Sequence, residues 1–241
     1  MIAIGLDGCR GGWVLVTLNP SAAPTVTAIR SIEELRNLDF DSAAIDIPIG
    51  LPEKGNRDCD MSARKYLGEH TSRVFIGVRR GLLACGPFDN EKHRAANDYL
   101  SARDEPGVAI QLWNILPKVL QVDDAMRSDA GLCKKVRESH PELVFRRLNN
   151  DEPVVRKKEP EGASKRVELL RQQGLGIAET WLARQVRREL TDLIQQPRMS
   201  VSSDDILDAC ACAIAARDLA SCVPAGEPPR DAHGLPMQIW F

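Results

Sequence analysis

The chain has 241 residues, 43% of them hydrophobic, enough for one large domain with a sizeable core and too apolar for global disorder. With 32 basic and 34 acidic residues the formal charge is -2, which gives no support for a generally basic nucleic-acid coat while leaving room for a local basic surface. No run of about 18 apolar residues occurs, so no membrane span is expected, and the opening Ile2-Ala3-Ile4-Gly5-Leu6-Asp7 lacks the basic leader of a signal peptide.

Residues 2–6 read as a first strand, ending in Asp7-Gly8 and the turn Cys9-Arg10-Gly11-Gly12. Residues 13–18 read as a second, and so short a link predicts an antiparallel hairpin. Asn19, Pro20 and Pro24 break the chain before a third strand, Thr25–Ile29. Ser31 then caps a short helix with Ile32 and Leu35 on its inner side and Leu38 as the next candidate. A buried strand over 43–47 follows, stopped by Pro48, Gly50 and Pro52. Three strands, a helix and a strand predict a meander whose fourth member returns parallel to the first through a right-handed crossover. Asp7 and Asp46 then share the C-terminal strand ends, where open α/β sheets usually bind ligands.

Helical spacing begins at Arg57, in the first half of 57–80, and returns over Asn90–Ser101 and 110–122. Leu143-Val144-Phe145, directly after His140-Pro141-Glu142, reads as a further strand. Residues 149–162 mix charges and prolines without periodicity and read as a loop, the best candidate for a mobile flap. Helices are expected to resume over 164–170 and 177–193. A last core helix starts after Ser202-Ser203-Asp204-Asp205, with Ser203 or Asp204 as N-cap, and its small apolar residues through Ala216 suit packing on a sheet. Residues 224–236 are rich in Pro and Gly, and 238–241 read as a terminal strand or docking segment. No internal repeat is visible. The expectation is one domain over 1–241, with a helical and loop insertion at roughly 53–135 and a tail over 223–241.

Several acids stand where carboxylates are costly. Asp7 interrupts an apolar strand before a glycine turn, as an Asx turn or as a ligand. Asp46 lies inside an apolar strand, where an ionised carboxylate demands a charge partner, a metal or an open cleft. Asp205 and Asp208 are three apart on one helix face, and Asp208 sits among Leu207, Ala209 and Ile214. Acids converging on one cleft suit Mg²⁺ or Mn²⁺, and their repulsion calls for a cation or a proton. Glu142 either completes such a shell or pairs with Arg146. His140 either moves a proton near neutral pH or bonds a backbone carbonyl.

Basic candidates have plainer readings beside functional ones. Arg10 lies in a turn whose amides can form an anion nest, or it pairs with Asp7. Arg57, Asp60 and Arg64 form a self-satisfied network or a cleft wall that orients an acidic ligand. Ser72 with Arg73, and Lys157, Lys158, Lys165 and Arg166 around the flap, either meet phosphate or are simply solvated. Trp13 and Trp181 read as packing aromatics. Seven scattered cysteines without a CxxC pair fit reduced thiols in a cytoplasmic protein, and Cys210 with Cys212 cannot close a zinc site.

Six stretches in order carry a resemblance. They are Gly5-Leu6-Asp7-Gly8-Cys9-Arg10-Gly11-Gly12-Trp13, Ile45-Asp46-Ile47-Pro48-Ile49-Gly50-Leu51-Pro52, and Arg57-Asp58-Cys59-Asp60 with Ala63-Arg64. Ser139-His140-Pro141-Glu142, Pro160-Glu161-Gly162 and Asp204-Asp205-Ile206-Leu207-Asp208-Ala209 complete the set. Together they resemble the DUF429 family of predicted ribonuclease H-like nucleases. The resemblance implies an α/β fold with a ribonuclease H-like mixed five-stranded sheet, flanking helices and helical insertions. It implies acids at Asp7, Asp46 and Asp208 that hold one or two divalent ions, with Asp205 as a second ligand or orienting base. Glu159 departs from the hydroxyl residue that the family commonly has before Pro160, which points to an altered substrate if that loop meets phosphate.

The expected function is therefore a nuclease dependent on Mg²⁺ or Mn²⁺, hydrolysing phosphodiester bonds in nucleic acid, or a small phosphoester, by metal-activated water. Asp7, Asp46, Asp208 and Glu142 are the expected metal ligands, with Asp205 and His140 joining them in catalysis. Arg10, Arg57, Arg64, Ser72, Lys158 and Lys165 are the expected substrate contacts. Two other readings stay open. An ATP-dependent phosphotransferase or ATPase of the sugar-kinase and actin-like fold also places an Asp-Gly strand end before a hairpin, although a GxxxxGK[ST] loop and a second glycine-rich adenosine turn are not found. A non-enzymatic binding protein would keep the cleft in degenerate form.

Overall fold

The computed structural model describes residues 1–157, 159–175 and 199–241. Lys158, Trp181 and the helix expected over 177–193 lie outside the described residues. In chain order the elements are β1 (Ala3–Cys9), β2 (Gly12–Leu18), β3 (Thr25–Ile29), β4 (Ser42–Ile45), α1 (Asp58–Leu67), α2 (Asn90–Ser101), α3 (Ile110–Ser128) and α4 (Ala130–Lys135). Then come β5 (Val136–Ser139), α5 (Pro141–Leu148), α6 (Pro160–Gln172), α7 (Ser203–Asp218), β6 (Cys222–Val223) and β7 (Ile239–Trp240). Short 3-10 helices occupy Ile32–Asn37, Gly68–Arg73 and Arg80–Cys85.

The chain is α/β, with a mixed seven-stranded sheet in the order β3-β2-β1-β4-β5-β7-β6. It divides into two compact units, residues 1–46, 134–222 and 240–241 in the first, and 47–133 with 223–239 in the second.

In the first unit, β1 and β2 form the expected hairpin, closing at the pair Cys9↔Gly12. The turn between them needs Gly11, whose φ of 81° is a left-handed conformation that a side chain resists. β3 continues the meander antiparallel to β2, and β4 returns parallel to β1, from Ala3↔Ser42 to Leu6↔Ile45. The Asp46 amide extends that ladder by donating to the Leu6 carbonyl at 3.1 Å. β5 adds parallel to β4, with Ile45↔Glu138 as its last pair. Residues level across a ladder project to the same side. Gly5 and Asp7 on β1 therefore share one face with Ala44 and Asp46 on the β4 side, and that face carries α7.

Five expectations are corrected. Leu143, Val144 and Phe145 are not a strand but part of α5, all three buried, and the fifth strand is the preceding Val136–Ser139. The reason lies in His140-Pro141: His140 is extended, its side chain accepts from the Glu142 amide, and proline at the first helical position favours starting a helix. The sheet has seven strands rather than five, because Cys222–Val223 and Ile239–Trp240 add two short ones. The loop expected over 149–162 ends at Glu159, where Pro160 opens α6 without a side-chain cap. The N-cap of α7 is Ser202, neither Ser203 nor Asp204. Ser31 does cap its short helix, a 3-10 turn with Ile32 and Leu35 buried, but Leu38 is its exposed C-cap.

The second unit holds α1, α2 and α3, and Leu112, Trp113, Leu116 and Val119 of α3 are buried in it. Its charged side chains close on one another. Arg80 reaches Asp123 with two 2.9 Å bonds and also meets Asp231. Such fork-to-fork pairs fix geometry as well as charge.

Candidate functional site

The site lies in the first unit and begins with a close approach. A Cβ on Gly5 would stand 2.0 Å from the Ala209 carbonyl oxygen and 2.1 Å from the Ala213 nitrogen, so α7 lies on β1 only because residue 5 has no side chain. The stretch Ala209-Cys210-Ala211-Cys212-Ala213, wholly buried, keeps the helix close. This seats Asp208, 6% exposed in the second turn of α7, against the ends of β1 and β4. Asp7 lies near the end of β1, and its Oδ1 accepts from the Gly8 amide at 2.7 Å. Asp46 follows β4 directly. Asp7 and Asp46 each keep part of their surface open, so the cluster is walled but not sealed.

The three acids act on one another. Burial raises the Asp7 carboxyl well above the ordinary 3.8, and Asp46, Asp208 and Asp205 push it further, against one backbone hydrogen bond. Burial raises Asp46 to about 7, with Glu142 adding and Lys157 opposing. Asp208 rises to about 6 by burial, with Asp46 and Glu142 adding and Lys157 opposing through both its charge and its hydrogen bond. Beneath them, the buried Cys212 thiol is pushed up by burial and then by Asp46, Asp7 and Asp208. Desolvation and like charge are the two causes that mark a carboxylate group short of cations.

Among the described residues, a cation does reach the cluster. Lys157 Nζ lies 2.6 Å from Asp208 Oδ2. Burial opposes its charge, but Asp208, Asp204 and Asp7 outweigh that and hold the ammonium protonated. Glu142 has a different partner, since the fully buried Arg166 meets its two oxygens at 2.8 and 2.9 Å. Arg166 also donates to the carbonyls of Val155 and Gly162, at 2.7 and 2.9 Å, and its guanidinium lies over Phe145.

The family described as "Protein of unknown function (DUF429)" matches residues 5–228. The chain belongs to this family. Searches of curated proteins and of solved structures gave no match. The DUF429 match takes in Asp7, Asp46, Glu142, Lys157, Arg166 and Asp208, so the whole cluster and its two cationic partners fall inside the family region.

The remaining candidates of this DUF429 chain are placed less centrally. Asp205 completes a capping box: its amide donates to Ser202 Oγ at 3.2 Å and its Oδ2 accepts from the Ser202 amide at 2.8 Å. It reaches the cluster through its charge on Asp7. His140 caps α5, its Nδ1 accepting from the Glu142 amide at 3.3 Å, which puts the proton of the neutral ring on Nε2. Arg10 is exposed in the hairpin turn, its carbonyl accepting from the Ser200 amide, and Lys165 is exposed on α6.

Arg57, Arg64 and Ser72 belong to the second unit. There Arg57 is buried and committed to Asp60 and the Ile49 carbonyl, Arg64 donates to the Val74 carbonyl, and Ser72 is exposed. Two contacts were not foreseen, Lys157 on Asp208 and Arg166 on Glu142. Partners 51 and 24 residues apart leave no local spacing to read. Among the described residues no three His, Cys, Asp or Glu side chains are grouped so as to hold a metal ion as they stand. No described helix is long and apolar enough to cross a membrane.

Proposed function

We propose that this DUF429 chain is a hydrolase that uses Mg²⁺ or Mn²⁺ to cleave phosphodiester bonds, with nucleic acid as its substrate and the cytoplasm as its compartment. The fold we assign to it is ribonuclease H-like: a β1-β2-β3 meander, two parallel strands, and a helix laying an acid across the strand ends. The observation that carries the reading is the mutual repulsion of Asp7, Asp46 and Asp208, brought together from β1, β4 and α7. Folding these carboxylates together costs free energy that a purely structural role does not require.

The donor set fits a hard divalent cation in chemistry, being all oxygen and short of positive charge. Asp7, Asp46 and Asp208 would hold it. Such an ion supplies Lewis acidity, making water a usable nucleophile at neutral pH and offsetting charge that builds on the phosphodiester. Glu142, with both oxygens on Arg166, serves as an outer carboxylate that adds to the field without leaving its partner. Asp205 steadies the first turn of α7 and so holds Asp208 in place. His140, at the N-cap of α5, is assigned the proton transfer at the leaving oxygen. Arg10, Lys158 and Lys165 supply positive charge for the substrate phosphates, while Arg57 and Arg64 build the second unit.

The test is a panel of single- and double-stranded DNA and RNA, incubated with Mn²⁺ or Mg²⁺ and with chelator. Cleavage that needs the ion and is lost in folded Asp7→Asn and Asp208→Asn supports the reading. Cleavage of ATP with every polynucleotide left intact would replace it with the phosphotransferase alternative. Partner binding without cleavage, unaffected by Asp46→Asn, would replace it with the degenerate cleft.

A further inference from the structure

We propose that Lys157 is a tethered counter-cation of the carboxylate cluster, resting on Asp208 until a divalent ion displaces it; this rests on the reading of the cluster as a cation site. The contact is specific in geometry. Lys157 Nζ stands 2.6 Å from Asp208 Oδ2, on a side chain that is 37% exposed against a carboxylate that is 9% exposed. Asp204 and Asp7 also lie near enough to act on the ammonium.

The backbone that carries Lys157 is secured independently of that contact. Arg166, on α6, donates to the Val155 carbonyl two residues before it, and the Glu159 amide donates to the Arg156 carbonyl across it. Gly162 lets the two segments meet, since a Cβ there would stand 2.1 Å from the Arg156 carbonyl oxygen. Lys157 thus has a fixed base and a long flexible stem ending in a compact charge. Its ammonium can leave Asp208 by rotating its side chain while the loop stays tied down.

Two cations cannot share one carboxylate oxygen at contact distance without strong repulsion. An ion drawn by Asp7 and Asp46 therefore competes with Lys157 for the third acid. In the ion's absence, Lys157 offsets part of the repulsion and keeps the cluster folded. It thereby sets how much cation is needed to load the site. Because the ammonium remains tethered beside the acids, it stays within the site after displacement.

The experiment measures Mn²⁺ binding by calorimetry to the full chain and to Lys157→Met, with Lys157→Gln as a second variant that keeps a polar head. In parallel, acetylation of Lys157 by an activated ester is followed by peptide mass spectrometry, with exposed Lys165 as the internal control. The proposal expects Lys157→Met to bind Mn²⁺ on the order of ten-fold tighter than the unaltered chain. It also expects Mn²⁺ to speed acetylation of Lys157 several-fold relative to Lys165. Asp208→Asn should make that acetylation fast without Mn²⁺. Equal Mn²⁺ affinity in the variants overturns the proposal and leaves the cation site standing. Tighter binding with unchanged acetylation also overturns it, since the effect is then one of charge at a distance. No Mn²⁺ binding by any form overturns both.

Discussion

The backbone of Ala213 crosses Gly5 so closely that a Cβ added at Gly5 would stand 2.1 Å from the Ala213 nitrogen. This one approach fixes the height of α7 above β1, and with it the reach of Asp208 toward Asp7. Gly5→Ala must therefore lift the helix, and overpacking of a tight core costs about 3 kcal/mol at a site with so little room. Thermal unfolding should report that loss, while Gly81→Ala, where an added Cβ meets nothing, should change stability by less than about 0.5 kcal/mol.

Arg166 is fully buried and binds Glu142 through a two-bond fork. Replacing it with Met removes that fork from a half-buried carboxylate and takes a donor from the Val155 carbonyl in the preceding loop. Breaking such a pair costs about 3–5 kcal/mol. Urea unfolding of Arg166→Met should show that loss, and adding Glu142→Gln should recover part of it, because the uncompensated charge is then gone.

Asp46 reverses this logic, because its charge is a liability without a cation. In chelator, Asp46→Asn should be more stable than the unaltered chain by about 1 kcal/mol, the scale on which relieving a strained functional site stabilises a protein. Mn²⁺ should raise the melting temperature of the unaltered chain and leave that of Asp46→Asn nearly unchanged. A loss of stability in chelator would mean that Asp46 is held by a structural partner.

The raised acids also set a pH dependence. Asp46 and Asp208 have folded values of about 7 and about 6, above the ordinary 3.8, so their ionisation is harder in the folded state than in the unfolded chain. Their contribution to the stability of the cation-free protein is full below about pH 4 and is lost as pH rises through about 6 to 7. A divalent ion binds the ionised forms and releases protons, so its affinity should climb across that same window. Melting temperatures with and without Mn²⁺, taken at intervals from roughly pH 5 to 8, should diverge as pH increases.

Much of this arrangement could be read from local patterns. Asp46 inside an apolar strand and Asp7 before a glycine turn mark the strand ends, and a short hairpin followed by a crossover sets β4 parallel to β1. The small residues after Asp208 show a helix made to lie close. Leu143-Val144-Phe145 misleads because three apolar residues have no period. The informative signal was His140-Pro141, a cap followed by a first-position proline. The partners of Glu142 and Asp208 were not legible, since tertiary packing decides which of several nearby cations reaches each acid. Arg166, 24 residues from Glu142, meets both of its oxygens from a wholly enclosed position that no local spacing announces.

The central claim is that Asp7, Asp46 and Asp208 share a hard cation. Anomalous diffraction from crystals soaked in Mn²⁺ tests it directly. The account predicts a strong peak within coordination distance of all three carboxylates, with Lys157 Nζ withdrawn from Asp208. Ordered acids with no peak among them at saturating Mn²⁺, or a peak only elsewhere on the chain, would contradict it.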